Sequence, residues 1–268
     1  VLSGVVYFTG FAGFDQWYLM LFSLVPLLIA TDGAPPGRAF LVGWLMGLVT
    51  HLGGYYWIVG MLKTFSGFPM PLCILFTVLL CAYQGATFGV FTLGVSLIRR
   101  RGWDPLFSGA AVLVGVERLY PVIFPSFMGN ALYVQPVLVQ TAEIAGVTFV
   151  SFLLASLNFA LFRAYRVVRY GRSELRPVAL IVTAVIWIAA VVFGAVRMPM
   201  VDATVAAAEK TRVGVVQVNM GIFDKREDPR EGLERHREDS LRLEKEQGVD
   251  LLVWPESAVV YAMPSGVK

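Results

Sequence analysis

Val249-Asp250-Leu251-Leu252-Val253-Trp254-Pro255-Glu256-Ser257-Ala258 reads as a short buried β-strand that ends by presenting one carboxylate, Glu256. Apolar side chains on both parities of the run suit a strand covered on both faces. Pro255 has no N–H to give a neighbouring strand, so pairing stops there and the next side chain is free to turn into a cleft. In open α/β sheets, ligands and catalytic groups gather at the carboxyl ends of the strands. A carboxylate at that edge suits a general base. On the strand alone, Glu256 reads equally as a helix-capping or loop acid.

Working outward, residues 211–219, Thr-Arg-Val-Gly-Val-Val-Gln-Val-Asn, are rich in β-branched side chains and read as an earlier strand. Residues 229–247 between them read as a helix. Asp228 is a good N-cap, Pro229 fits the first helical position, Glu231 completes a capping-box-like pattern, and Gly248 fits the C-terminal stop. Strand, helix and apolar second strand make a βαβ unit on a parallel sheet. Two strands cannot bury a core by themselves, so further sequence is expected after Lys268. The opening Val1-Leu2-Ser3, with no Met and already inside an apolar run, leads to the same expectation of a fragment at the other end.

Everything before this tail has a different character. The whole chain is 57% hydrophobic and 15% charged, with a mean hydropathy of +0.67, where a soluble domain carries about 25% charged residues. Residues 1–98 hold only Asp15, Asp32, Arg38 and Lys63 as charges. The expected organisation is a transmembrane helical domain over 1–200 and a polar extramembrane segment over 201–268. A spanning helix needs about 20 apolar residues. Seven candidate spans follow: 1–13, 16–31, 39–62, 71–98, 105–124, 144–168 and 177–197. Arg38, then Arg99-Arg100-Arg101, then Arg163, Arg166, Arg169, Arg172 and Arg176 all fall on one side, which the positive-inside rule makes cytoplasmic. Seven spans place the tail outside the cytoplasm. The net charge of +3 and the placement of arginines in loops speak for membrane topology and against nucleic-acid binding.

Other chemistry-bearing residues read more plainly. Cys73 and Cys81 share one apolar run with no partner at metal-ligand spacing. Eight residues along one helix put them about 12 Å apart, too far for a disulfide. His51 reads as a packing or interfacial side chain. Tyr55, Tyr56 and Trp57 read as an aromatic belt or as the lining of an acyl-chain path. Glu117 and Arg118 lie in the outer part of the fifth span, where intramembrane charge flags either a local ion pair or function. Glu143 reads as a loop acid, or as a group that helps to seat a lipid head group or an acceptor amine. The charged run 231–246 reads as a solvated helix face.

Val213-Gly214-Val215-Val216-Gln217-Val218-Asn219, the helix, and Leu252-Val253-Trp254-Pro255-Glu256-Ser257 resemble the opening of a nitrilase-type carbon–nitrogen hydrolase domain. Such a domain behind a multi-span membrane domain resembles the apolipoprotein N-acyltransferase family. Residues 43–69, from Gly43-Trp44 through Tyr56-Trp57 to Phe68-Pro69, are similar to that family's third span and following loop. Glu117-Arg118 and Gly146-Val147-Thr148-Phe149-Val150-Ser151-Phe152 are similar to two further segments.

The resemblance implies a multi-span membrane domain followed by the start of an α-β-β-α sandwich in the bacterial inner membrane, with the tail in the periplasm. It implies a Glu–Lys–Cys site with Glu256 as general base, a Lys stabilising the oxyanion, and a Cys carrying the acyl group as a thioester. The Lys and Cys are expected beyond residue 268, so the chain by itself is expected to lack acyl transfer. The implied partners are a phospholipid acyl donor and a diacylglyceryl-cysteine lipoprotein acceptor, with no metal or cofactor. Tyr56, Trp57 and Glu143 are the candidate substrate-binding residues. The family's first-strand loop carries an aromatic before Asp-Pro, whereas Lys225-Arg226-Glu227 stand before Asp228-Pro229 here. Two rival readings are a membrane-tethered amidase or nitrilase that hydrolyses C–N bonds, and a transporter or receptor with a small external domain.

Overall fold

The structure is a computed structural model that describes residues 1–171, 175–256 and 258. It divides into two compact units, Val1–Asp202 and Ala203–Lys268. In chain order the first unit holds α1 (Leu2–Phe8), a 3₁₀ segment (Trp17–Leu21), α2 (Val25–Ala30), α3 (Pro36–Gly54), α4 (Trp57–Ser66), α5 (Met70–Arg100) and α6 (Pro105–Leu119). A second 3₁₀ segment (Met128–Val134), the short helices α7 (Pro136–Val139) and α8 (Ala142–Ala145), α9 (Val147–Tyr170) and the start of α10 (Pro177–Ala207) follow.

Among the described residues, three helices are long and apolar enough to cross a membrane alone: α5, α9 and α10. The pair α3 and α4 makes a fourth if it is taken as one broken span, bent by 62°. The other apolar stretches expected as spans are shorter or interrupted as helices. Residues 1–13 give α1, residues 16–31 give a 3₁₀ segment and α2, and residues 105–124 give the 15-residue α6.

The seam between α3 and α5 is built on glycine. Gly43 and Gly47 are spaced by four on α3, as are Gly85 and Gly89 on α5. A Cβ added at Gly85 would stand 2.6 Å from the backbone nitrogen of Leu48, and one at Gly47 would strike the carbonyl of Gly85. Backbones this close favour van der Waals contact, the main force between helices in a solvent as apolar as their own side chains. Two hydrogen bonds cross the seam: Trp44 Nε1 donates to Ala82 O (2.8 Å) and Thr92 Oγ1 to Ala39 O (2.7 Å).

Irregular backbone inside an apolar unit must find partners within the protein. Three polar side chains supply them. Asn158 accepts from Leu24 N (2.8 Å) and donates to Met20 O (3.0 Å), closing the break between the 3₁₀ segment and α2. Gln84 Oε1 accepts from Ile123 N (2.8 Å) and Phe124 N (3.0 Å). Glu117 Oε1 accepts from Met128 N (2.7 Å). All three are buried.

The second unit carries the end of α10, β1 (Val213–Val215), α11 (Ile222–Glu227), α12 (Pro229–Gln247) and β2 (Leu251–Val253). The strands pair in parallel, Val213 opposite Leu251 and Val215 opposite Val253. Asp228 caps α12 by accepting from Arg230 N and Glu231 N, both at 3.1 Å, and Gly248 ends it in the left-handed region at φ 60°. Glu231 pairs with Arg235 along the helix. Among the described residues this unit holds one two-stranded sheet and no further layer of strands.

Candidate functional site

Tyr56, Trp57 and Glu143 belong to the first unit and Glu256 to the second, so each group is described within its own unit. Tyr55 and Tyr56 lie at the break between α3 and α4. Gly53 and Gly54 leave the helix thin at the break, where the rings of Phe8 and Phe11 press on it, and paired glycines are a common origin of sharp kinks. Tyr55 turns inward, its ring 5.8 Å from that of Phe124, and its hydroxyl donates to Phe124 O at 3.3 Å. Tyr56 and Trp57 remain exposed at the rim, Tyr56 edge-on to Phe14 and Trp57 edge-on to Phe124.

Beneath Trp57 lies a cavity of about 230 Å³, walled by Phe11, Gly54, Tyr55 and the 125–131 segment. A second, almost wholly apolar cavity of about 410 Å³ adjoins it between Tyr133, Val139, Ala142, Val147 and Val150. Ala12 and Asn130 line both. Together the cavities reach the size range of small-molecule sites. An apolar trough with aromatic rings at its rim and one amide at its junction suits a hydrocarbon chain whose polar end stays at the rim.

Glu143 does not line either cavity; its neighbour Ala142 does. Its carboxylate is held in a two-point pair, with Arg197 Nε at 2.6 Å and Nη2 at 2.7 Å. Hydrogen bonding to that guanidinium lowers the Glu143 pKa from its ordinary value. Across the same surface, Tyr133 donates to Asp15 (2.6 Å), and this bond raises the tyrosine pKa. His51 is buried inside α3, Nδ1 2.8 Å from Gly47 O, with its ring against Tyr55. Cys73 and Cys81 are free thiols buried along α5. Glu117 serves the backbone of Met128, and so anchors the 3₁₀ segment that walls both cavities.

In the second unit, β2 ends at Val253 and the chain turns, Ala258 N donating to Pro255 O at 2.9 Å. Glu256 sits in that turn, exposed, just past the carboxyl end of β2. The preceding Trp254 packs on α12: its indole donates to Ser240 Oγ (2.8 Å) and its ring lies 5.2 Å from His236. That face of α12, Gly232, His236 and Ser240, is buried, so the helix is not solvated all round. The signal was present as small or weakly polar residues at spacing four within a charged run. Asn130 and Ala12 were not legible as site residues, because a 3₁₀ segment brings them together and no periodicity announces it.

A sequence profile described as the apolipoprotein N-acyltransferase N-terminal domain matches residues 3–160. An apolipoprotein N-acyltransferase from Geobacter metallireducens is 29% identical over 269 residues, covering 97% of this chain and 51% of the relative. Proteins of the same name from Azotobacter vinelandii and Pseudomonas aeruginosa are 29% and 27% identical, each over 92% of this chain and 48% of their own length. The chain thus spans about half the length of these relatives. With the profile extending from α1 into α9, across the glycine seam and the cavity walls, the chain belongs to the apolipoprotein N-acyltransferase family.

Proposed function

We propose that this chain is part of an enzyme of the bacterial inner membrane that N-acylates lipoproteins. An acyl chain leaves a phospholipid, is held as a thioester on a cysteine, and passes to the free amine of a diacylglyceryl-cysteine at a lipoprotein N-terminus. The observation that carries this reading is the family match over most of the membrane unit. The adjoining cavities near Trp57, the larger of them almost wholly apolar, support it, because both substrates are lipids and an apolar trough takes a chain without extracting it into water. In this reading the two cavities hold the acyl chain, and Tyr56 and Trp57 guide it at the rim. The tail opens a nitrilase-like domain on the periplasmic side. Glu256 is the general base that takes the thiol proton as the sulfur attacks the phospholipid ester; the ester C–O bond breaks, and the lysophospholipid leaves as an alcohol, taking that proton back from Glu256. When the amine later attacks the thioester, the C–S bond breaks and the thiolate is the leaving group.

The test is acyl transfer by the intact protein carrying this sequence, from a phospholipid to a synthetic diacylglyceryl lipopeptide, read as the mass gain of one acyl group. Glu256→Gln lowers the rate by about 10²–10⁴-fold, the range spanned by a general base. Ala12→Trp, which puts an indole at the junction of the two cavities, slows long-chain donors more than short-chain ones. Release of free amine or ammonia from an amide substrate, with no acylated lipopeptide, would instead identify a hydrolase.

A further inference from the structure

At the opposite end of the first unit, where α5 and α9 finish and α6 and α10 begin, two cavities share a wall of arginine. One, of about 300 Å³, is lined by Arg99, Arg163, Arg166 and Arg176 together with Trp103 and Asp104. The other, of about 230 Å³, is lined by Arg99, Arg100, Arg166, Asp32 and Ser96. Five arginines thus face two carboxylates among the described lining residues.

The two aspartates hold three of the guanidinium groups in fixed positions. Asp32 Oδ1 accepts from both Arg99 Nη2 (2.5 Å) and Arg166 Nη1 (2.7 Å), and Asp104 Oδ1 accepts from Arg163 Nη2 (2.6 Å). The side chains of Arg99, Arg163 and Arg166 are only 21%, 10% and 22% exposed, so their order is set by packing before any ligand arrives. All the cations are arginine, the side chain whose planar fork matches phosphate oxygens two at a time. Exposed Trp103, and Tyr170 beneath the guanidinium of Arg166 at 5.4 Å, give this end the aromatic rim of a membrane interface. Fixed positive charge in a pocket between helices at the membrane surface is the setting in which anionic lipid head groups bind.

We infer that this arginine pocket binds a phosphate-bearing anion, and that the head group of an anionic membrane lipid is its source. The pocket lies at the far end of α9 from the cavity lined by Val147 and Val150 and shares no lining residue with either cavity near Trp57, so it is separate from the proposed acyl-chain trough.

The experiment is the thermal unfolding midpoint of the intact protein in neutral detergent. It is titrated with phosphatidylglycerol, phosphatidylcholine or sodium phosphate at fixed ionic strength, since a ligand of the folded state raises the midpoint by mass action. Phosphatidylglycerol is expected to act at concentrations at least about tenfold below phosphatidylcholine. The double variant Arg100→Gln/Arg176→Gln should weaken the phosphatidylglycerol response about tenfold. Arg101→Gln/Arg169→Gln removes the same charge from the same end without touching either cavity, and should change it less than about twofold. Both targeted arginines are exposed, so the single variants carry the same test should the double variant not fold; each is expected to weaken the response about threefold. Equal responses to the two lipids, or equal losses in the two double variants, would overturn the site. Sodium phosphate matching phosphatidylglycerol, with the same dependence on Arg100 and Arg176, would overturn the lipid as occupant.

Discussion

Asn158 shows how one side chain carries irregular backbone in an apolar setting. Its amide group serves both sides of the break before α2, and neither Leu24 N nor Met20 O has a helical partner to fall back on. Asn158→Leu keeps the branching at Cγ, with a somewhat larger side chain, and removes both bonds. Met20 O also accepts from Ser23 Oγ, but Leu24 N loses its partner, and a buried group left unsatisfied costs about 1–3 kcal/mol, so the variant is expected to unfold at a clearly lower temperature in detergent, read by the intrinsic fluorescence of the tryptophans. An unchanged midpoint would mean that the break relaxes into helix once the amide is gone. The pair of Glu143 and Arg197 makes a different prediction. Bonding to Arg197 lowers the Glu143 pKa in the folded protein. A depressed carboxylate adds stability above its unfolded value, about 4.3, and loses it as pH falls through the lower folded value. Wild type should therefore melt above Glu143→Gln at neutral pH, and the gap should close in acid. Both side chains are half-exposed, so the gap is small and shrinks with salt. Neither role was legible in the sequence. An Asn in an apolar run and an acid in a loop acquire their partners 134 and 54 residues away.

Among the elements, α12 was legible to the residue, Pro229–Gln247, because every signal that bounds it is local: the Asp228 cap, Pro229, and a left-handed Gly248. The segment 39–62 was not. A continuous apolar run looks the same whether the helix is straight or broken, and the break at Tyr55 follows from Phe8 and Phe11 pressing on Gly53 and Gly54 from another element. The glycines were the visible half of that contact. The seam between α3 and α5 has the same logic, and yields a prediction with an internal control. Gly47→Ala drives a Cβ into the carbonyl of Gly85 and forces α3 off α5. Overpacking of this kind costs about 1–3 kcal/mol. Gly60→Ala, inside α4, meets nothing within 4 Å and instead removes the glycine penalty of a helix interior, about 1 kcal/mol. Thermal unfolding should move down for the first and level or up for the second. Two equal shifts would mean that the seam is looser than its geometry.

At the scale of the first unit, the cavities and the arginines separate along the length of α9. The larger cavity lies at the start of α9, and the arginines near the ends of α5 and α9. Composition alone made the membrane domain legible, and the parallel pairing of β1 with β2 followed from the strand–helix–strand order. The cavities were not legible, since they arise where 3₁₀ and four-residue helices replace a regular span. The proposed reaction requires the Glu256 side of the chain to meet lipids of the leaflet opposite the arginine loops. That requirement can be tested without any catalytic assay. The two native cysteines are buried, so a membrane-impermeant maleimide reports on single introduced thiols at exposed sites. Glu238→Cys should react in intact spheroplasts, and Arg101→Cys only after the membrane is opened. The reverse pattern would place the tail in the cytoplasm. It would remove the proposed substrates from reach of Glu256, even with every cavity as described.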